Sequence, residues 1–293
     1  MRIAKNYGLY YTLISVICAS IMVIIVKVLS ETTNIYSILF YRGFFGFILV
    51  TFLLIKIKTN QLYTKKIHVH FLRGAINAAA LFFWFNALVL SPLAEVSAIG
   101  NSAPIFATLL AILLLKEKIF FKRILAIILG FIGVLMIVKP GNLQIEIGYY
   151  YALIAAVLWG FLVIFLKNLS KTENFFSVIF YFQLFLFVFF GIFFYKEIEV
   201  INQNNFFWLL AMALFGNLSQ LFYFQALKYK DVTFVTPFEY LRFVIITILA
   251  IIFFNENPTL STYLGSLVIF VGILIISVDR NIISKSFNFI FKN

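Results

Sequence analysis

Acidic residues are scarce in this chain, 11 Asp and Glu among 293 residues, and histidine and cysteine are scarcer, at two and one. Each shortage removes a class of chemistry. The single cysteine, Cys18, can form no intrachain disulfide, so redox work is not indicated. His68 and His70 stand in the hydrophilic loop KIKTNQLYTKKIHVH with no carboxylate or cysteine nearby. An H-x-H metal site is not expected there, and both histidines are read as solvated. The long apolar runs contain no histidine, no H-E-x-x-H and no paired Asp. An intramembrane enzyme would therefore lack its nucleophile, base and metal cluster; no catalytic residue, metal ligand or cofactor is assigned. No Walker sequence occurs, which argues against direct use of ATP.

Charge as a whole is thin. Charged residues are 12% and hydrophobic residues 63% of the chain, with a mean hydropathy of +1.06. Soluble domains carry about 25% charged and roughly 45–50% apolar residues, so an all-α integral membrane protein is expected. A helix needs about 20 apolar residues to cross a bilayer. Ten segments qualify: about 7–29, 35–55, 71–91, 93–115, 120–138, 148–167, 175–195, 206–227, 232–254 and 260–278. The first dozen residues resemble a signal peptide, but the apolar run is too long and its near-copy is internal, so it is read as a retained first helix.

A net charge of +12 invites nucleic acid as a partner, but its distribution argues otherwise. With the N-terminus inside, 18 of the 23 Lys and Arg fall on one face of the membrane and three, Lys27, Lys139 and Lys196, on the other. Arg42 and Arg242 lie within segments. Positive charge stays cytoplasmic, so both termini are placed inside an inner (cytoplasmic) membrane, with anionic lipid headgroups as neighbours.

The chain is written twice. A shift of 140 lays Gly8–Ser30 over Gly148–Ser170, and Asn34 and Ser37-Ile-Leu-Phe-Tyr41 over Asn174 and Ser177-Val-Ile-Phe-Tyr181. A shift of 139 lays Trp84-Phe-Asn-Ala-Leu88 over Tyr223-Phe-Gln-Ala-Leu227, and Glu117 over Glu256. The period far exceeds that of solenoid repeats. The expected organisation is two five-helix repeats, residues 1–140 and 141–293. Five is odd, so the second repeat enters the membrane inverted.

Polar groups sunk in the apolar segments mark candidate function. Arg42 lies seven residues inside the second segment, about 10 Å deep at 1.5 Å per residue. Pro104 and Pro237 are expected to break their helices and free the carbonyls of Gly100 and Thr233. Glu239 and Arg242 stand i, i+3 on one helix face, and either neutralise each other or line a polar cavity. The candidate substrate-binding set is Arg42, Trp84, Asn101, Gln183, Tyr223, Glu239, Tyr240 and Arg242. An arginine would take a carboxylate, Glu239 a cationic group, and an aromatic face a cation or a base. Glycines Gly130 and Gly133, or Gly265 and Gly272, could pack within the chain or across a homodimer.

The FYRG of the second segment, the hairpin ALVLSPLAEVSAIGNSAPIFATLLAILLLKEK and its echo ALKYKDVTFVTPFEYLRFVIITILAIIFFNENP resemble the EamA family of the drug/metabolite transporter superfamily over nearly the whole chain. That resemblance implies a central cavity lined by helices 1 to 4 and 6 to 9, with 5 and 10 peripheral, and alternating access by rocking of the halves. Within the family, the PFEYLRF run and the abundance of Ile, Phe, Lys, Asn and Tyr resemble S-adenosylmethionine uptake carriers of obligate intracellular bacteria. The resemblance implies a secondary transporter of a small polar metabolite, S-adenosylmethionine being the best match, with an exporter of amino acids or drugs as the alternative.

Overall fold

The computed structural model describes residues 2–57, 62, 64–90, 99–118, 120–138, 147–201, 203–254 and 260–277. Glu256, which the repeat sets under Glu117, lies outside the described residues, as do Glu95 and residues 139–146 around the junction of the two repeats. The helices are α1 (Arg2–Ser30), α2 (Ile35–Ile57), α3 (Ile67–Leu90), α4 (Ala103–Leu115), α5 (Phe121–Val138), α6 (Ile147–Leu169), α7 (Phe175–Phe193), α8 (Gln203–Tyr229), α9 (Leu241–Phe254) and α10 (Leu260–Ser277). A single α-turn, Val232–Val235, and a 3-10 turn, Thr236–Tyr240, lead into α9. Among the described residues five helices are long and apolar enough to cross a membrane: Tyr7–Ser30, Ile35–Lys56, Ile147–Leu169, Phe175–Phe193 and Gln203–Tyr229.

Local chemistry sets the boundaries. Asn34 Oδ1 accepts the Ser37 N–H at 2.9 Å ahead of α2, and Asn174 Oδ1 accepts the Phe176 N–H at 3.1 Å ahead of α7. The two copies of the repeat thus start the same helix with the same cap. Lys116 stops α4 in the left-handed conformation, φ 53°. Ile99 and Gly100 are helical and Asn101 and Ser102 form a turn, so the fourth segment is interrupted, as expected from the sequence, just ahead of Pro104. It stands in the first turn of α4, after a turn in which Ser102 N–H bonds to the Ile99 carbonyl at 2.9 Å. A proline there has no intrahelical partner to lose. Pro237 likewise interrupts its helix, and the Thr236 hydroxyl donates back to the Val232 carbonyl at 3.0 Å.

The distribution of side chains is that of a protein dissolved in hydrocarbon. Ile55, Leu113, Phe121, Phe207 and Leu260 each expose 71% or more of their surface, whereas Thr12, Ser15, Ser20, Ser37, Ser177 and Gln183 are buried. Water would reverse that preference. Buried hydroxyls bond to nearby carbonyls, Thr12 to Gly8 at 2.7 Å and Ser20 to Val16 at 2.8 Å. Ser15 crosses from α1 to the Ser219 carbonyl of α8 at 2.9 Å.

Packing between halves comes in matched pairs. The first helix of one repeat lies along the third helix of the other, α1 on α8 and α6 on α3; α2 lies on α7, and α5 on α10. The pairs run antiparallel. Tyr36 at the start of α2 stacks on Phe194 just past the end of α7, while Phe47 meets Phe180. Gly133 of α5 backs onto the Gly265 carbonyl of α10, where an added Cβ would sit 2.6 Å away, and Gly130 lies under the Tyr240 ring. These glycines therefore pack within the chain.

Three basic or titratable groups expected at a solvated surface are buried instead. His70 is 3% exposed, its ring 4.9 Å from that of Tyr181 and its Nε2 3.7 Å from Glu173, too far for a hydrogen bond. It stands ahead of the apolar segment 71–91, and burial pushes its pKa down against the opposing pull of Glu173. Arg73 is covered, its guanidinium over the Phe182 ring and donating to the Val178 carbonyl at 3.3 Å. Lys167 donates to the carbonyls of Leu227 and Lys230 at the end of α8, where the helix dipole favours a cation. A count of basic residues by loop does not give the depth of such groups.

Candidate functional site

Of the eight residues expected to bind a solute, seven fall into three neighbourhoods. In the first, Arg42 reaches from α2 across to α8. A Cβ added at Gly216 would lie 3.6 Å from its Nε, and that Nε is covered and has no hydrogen-bond partner among the described residues. Gln183 reaches from α7, 1% exposed, and its amide nitrogen donates to Asn217 Oδ1. Asn217 Nδ2 in turn donates to the Gly46 carbonyl of α2 at 3.1 Å. Asn217 belongs to the polar face of α8 visible in the sequence. Only the fold reveals that this amide ties Gln183 to α2.

The second neighbourhood surrounds the 3-10 turn. Arg242 Nη1 lies 3.4 Å from Glu239 Oε2, with 33% and 23% of the two side chains accessible, so the i, i+3 ion pair forms and stays partly open. The hydroxyl of Tyr223 on α8 lies within electrostatic range of both charges. Gly216 and Tyr223 are seven residues apart, two turns on one face of α8, which separates the two neighbourhoods by about 10 Å. The neighbouring hydroxyls of Thr108 and Thr236 meet at 3.0 Å and join α4 to the same turn.

Trp84 forms the third. Its ring packs 5.2 Å from that of Trp159 on α6, and a Cβ at Gly100 would meet it at 2.2 Å, so glycine there is required by the indole. Asn101 follows in the half-buried turn that opens α4. Trp159 was legible as an aromatic on the sixth segment but not as the partner of Trp84. Tyr240 joins none of these groups. It is 1% exposed, packed over Gly130 among Val16, Val134, Phe238 and Ile269, and its hydroxyl has no partner among the described residues. The 3-10 turn aims Glu239 and Tyr240 to different sides.

At the end of the bundle where α4 stops and the Val232–Val235 turn starts, the Glu117 carboxylate accepts the N–H groups of Val232 at 2.9 Å and Thr233 at 3.0 Å. Arg123 bonds to Asp231 at 2.8 Å and to the Thr233 hydroxyl. This cluster is saturated with bonds and serves as a clamp between α4, α5 and the ninth segment. Among the described residues no group of three or more His, Cys, Asp and Glu could hold a metal ion.

What remains is a helical bundle with a few charged and amide side chains turned inward, an arrangement that can hold a polar solute. The chain is 26% identical over 93% of both chains to the S-adenosylmethionine uptake transporter of Rickettsia prowazekii. It is 26% identical to the pseudopaline exporter of Pseudomonas aeruginosa, over 88% of this chain and 91% of that one. A solved crystal structure, 16% identical, superimposes with a TM-score of 0.78 over 94% of this chain and 97% of its own, a likeness of fold. Residues 6–139 and 146–278 each match the EamA-like transporter family, a family of multi-pass membrane transporters rather than enzymes, and the chain belongs to it.

Proposed function

We propose that this protein is a secondary carrier that takes up S-adenosylmethionine across the cytoplasmic membrane by alternating access. Ten spans form two inverted five-helix halves in this reading, residues 1–140 and 141–293, with both termini in the cytoplasm. Its support is the antiparallel pairing of α2 with α7 and α5 with α10, together with the basic residues gathered at one end of the bundle. The observation that carries the reading is Arg42, a cation held about a third of the way along α2 against Gly216 with an unanswered Nε. Buried ionic groups at such depth are costly unless a solute or counter-charge uses them.

Arg42 and the Glu239–Arg242 pair lie about two turns of α8 apart. A solute with a carboxylate at one end and a cation or an aromatic base further along fits that separation, and Trp84, Asn101, Gln183 and Tyr223 add stacking and amide contacts. S-adenosylmethionine carries a carboxylate, an amine, a sulfonium and an adenine, and would use all of them. Tyr240, packed against α5, supports the 3-10 turn in this reading rather than touching the solute.

Labelled S-adenosylmethionine supplied to cells expressing the protein should accumulate, and excess unlabelled compound should compete. No accumulation in cells where the protein reaches the membrane would overturn uptake. The second reading is export of amino-acid-like metabolites, favoured by the likeness to the pseudopaline exporter. Loss of labelled compound from preloaded cells, without uptake, would select it.

A further inference from the structure

We propose that Arg42, Gln183 and Asn217 form a recognition site for an α-amino carboxylate head group, the end of a free amino acid or of a larger metabolite built on one. The inference rests on the reading of the chain as a carrier of a polar solute and specifies which end of that solute sits between α2, α7 and α8.

The argument begins with the amide chain. A backbone carbonyl only accepts, so the edge of Asn217 facing the Gly46 carbonyl must be its NH2. Asn217 Oδ1 then faces Gln183, and Gln183 must answer with its own NH2. The orientation of both amides is thereby fixed by the backbone rather than chosen. Gln183 Oε1 is left over, buried and without a partner among the described residues. Gly46 presses directly on this amide, where a Cβ would lie 2.6 Å from Gln183 Cδ, so the side chain has no room to turn away.

Arg42 is one turn before Gly46 on α2, and its Nε backs onto Gly216, the residue before Asn217 on α8. The same patch of the α2–α8 interface therefore presents an unanswered donor with a positive charge and an unanswered neutral acceptor. Among the described residues Arg42 has no carboxylate partner, whereas Arg123 pairs with Asp231 and Arg242 with Glu239. A carboxylate satisfies the guanidinium and an ammonium satisfies the amide oxygen. A plain anion would meet the guanidinium but turn its own oxygens toward Gln183 Oε1, acceptor against acceptor. A group carrying both charges on one carbon answers both needs at once.

The test is equilibrium binding to the purified full chain in lipid nanodiscs, using S-adenosylmethionine, its decarboxylated form, its form lacking the α-amine, and free methionine. With the wild-type protein, removing either head-group charge should weaken binding about tenfold or more. Equal affinity for the complete and truncated compounds overturns the proposal without any variant being made. In Gln183→Met the amine-free compound should bind as it does to wild type while the complete compound falls to the same level. Equal loss for every compound, that of the amine-free form included, would mark Gln183 as structural only and also overturn it. Binding of methionine, with the same sensitivity to its α-amine and carboxylate but no binding of S-adenosyl compounds, would sink the substrate reading while leaving the head-group site standing. Binding of no α-amino carboxylate at all overturns the site.

Discussion

Tyr41 and Tyr181, 140 positions apart in the two copies of the repeat, make the same contact: each hydroxyl donates to a backbone carbonyl of a loop in the other half, Tyr41 to Glu199 at 2.8 Å and Tyr181 to Leu62 at 3.1 Å. Ser37 reinforces the first by accepting the Glu199 N–H at 2.8 Å. Because α2 and α7 run antiparallel, the two latches lie at opposite ends of the bundle. Tyr41→Phe should raise accessibility at its own end and Tyr181→Phe at the other. Labelling of single cysteines placed near each loop reads this out, and a change of the same sign at both ends in either variant would refute a latch.

Arg42→Ala should abolish transport while the protein still inserts, because a charge removed from the apolar segment eases insertion by roughly 2.5–3.5 kcal/mol. Membrane yield and uptake measured on the same cells separate the two effects. Wild-type uptake by this variant would remove Arg42 from the site.

Glu117 is expected to matter for stability before it matters for transport. It accepts two N–H groups at the start of the ninth segment, at 2.9 and 3.0 Å. Loss of a helix cap costs about 0.5–2 kcal/mol, so Glu117→Ala should lower the thermal unfolding midpoint in detergent. Glu117→Gln, which keeps one acceptor oxygen, should recover part of the loss. An unchanged midpoint in both would mean that the clamp with Arg123 and Asp231 holds without it.

For His70 the sign follows from burial. Its pKa in the folded protein lies below the ordinary value of about 6.5, so the fold favours neutral imidazole. The stability this gives is complete above about 6.5 and is lost as pH falls through the lower, folded value. Wild-type protein should therefore unfold at lower temperature as pH drops from about 7 to 5, and His70→Gln should flatten the dependence. Equal slopes would show that the pull of Glu173 cancels burial, and a steeper fall in the variant that it outweighs burial and holds the imidazolium.

Much of the scaffold could be read beforehand, for particular reasons. Each of the ten apolar segments coincides at least in part with a helix, because in hydrocarbon the backbone must bond to itself and length and hydropathy suffice to find it. Side-chain direction was harder to read. Glu239 and Tyr240 are adjacent, yet one joins Arg242 and the other packs under α5, because a 3-10 turn rotates successive side chains differently from an α-helix. The tie of Gln183 to Asn217 joins residues 34 positions apart and follows from how α7 and α8 cross. His70 and Arg73 look like surface charges in the sequence, and only the packing of α7 against the start of α3 covers them.

The 3-10 turn at Thr236–Tyr240 has a mechanical consequence. A 3-10 helix advances about 2.0 Å and turns about 120° per residue, against about 1.5 Å and 100° in an α-helix. Rewinding those five residues would shorten the ninth segment by roughly 2.5 Å and swing Glu239 several tens of degrees about the axis, away from Arg242. The ion pair spans the junction between two pitches of one screw. Any molecule that competes for either charge would therefore pull directly on the winding of the rod that bears them.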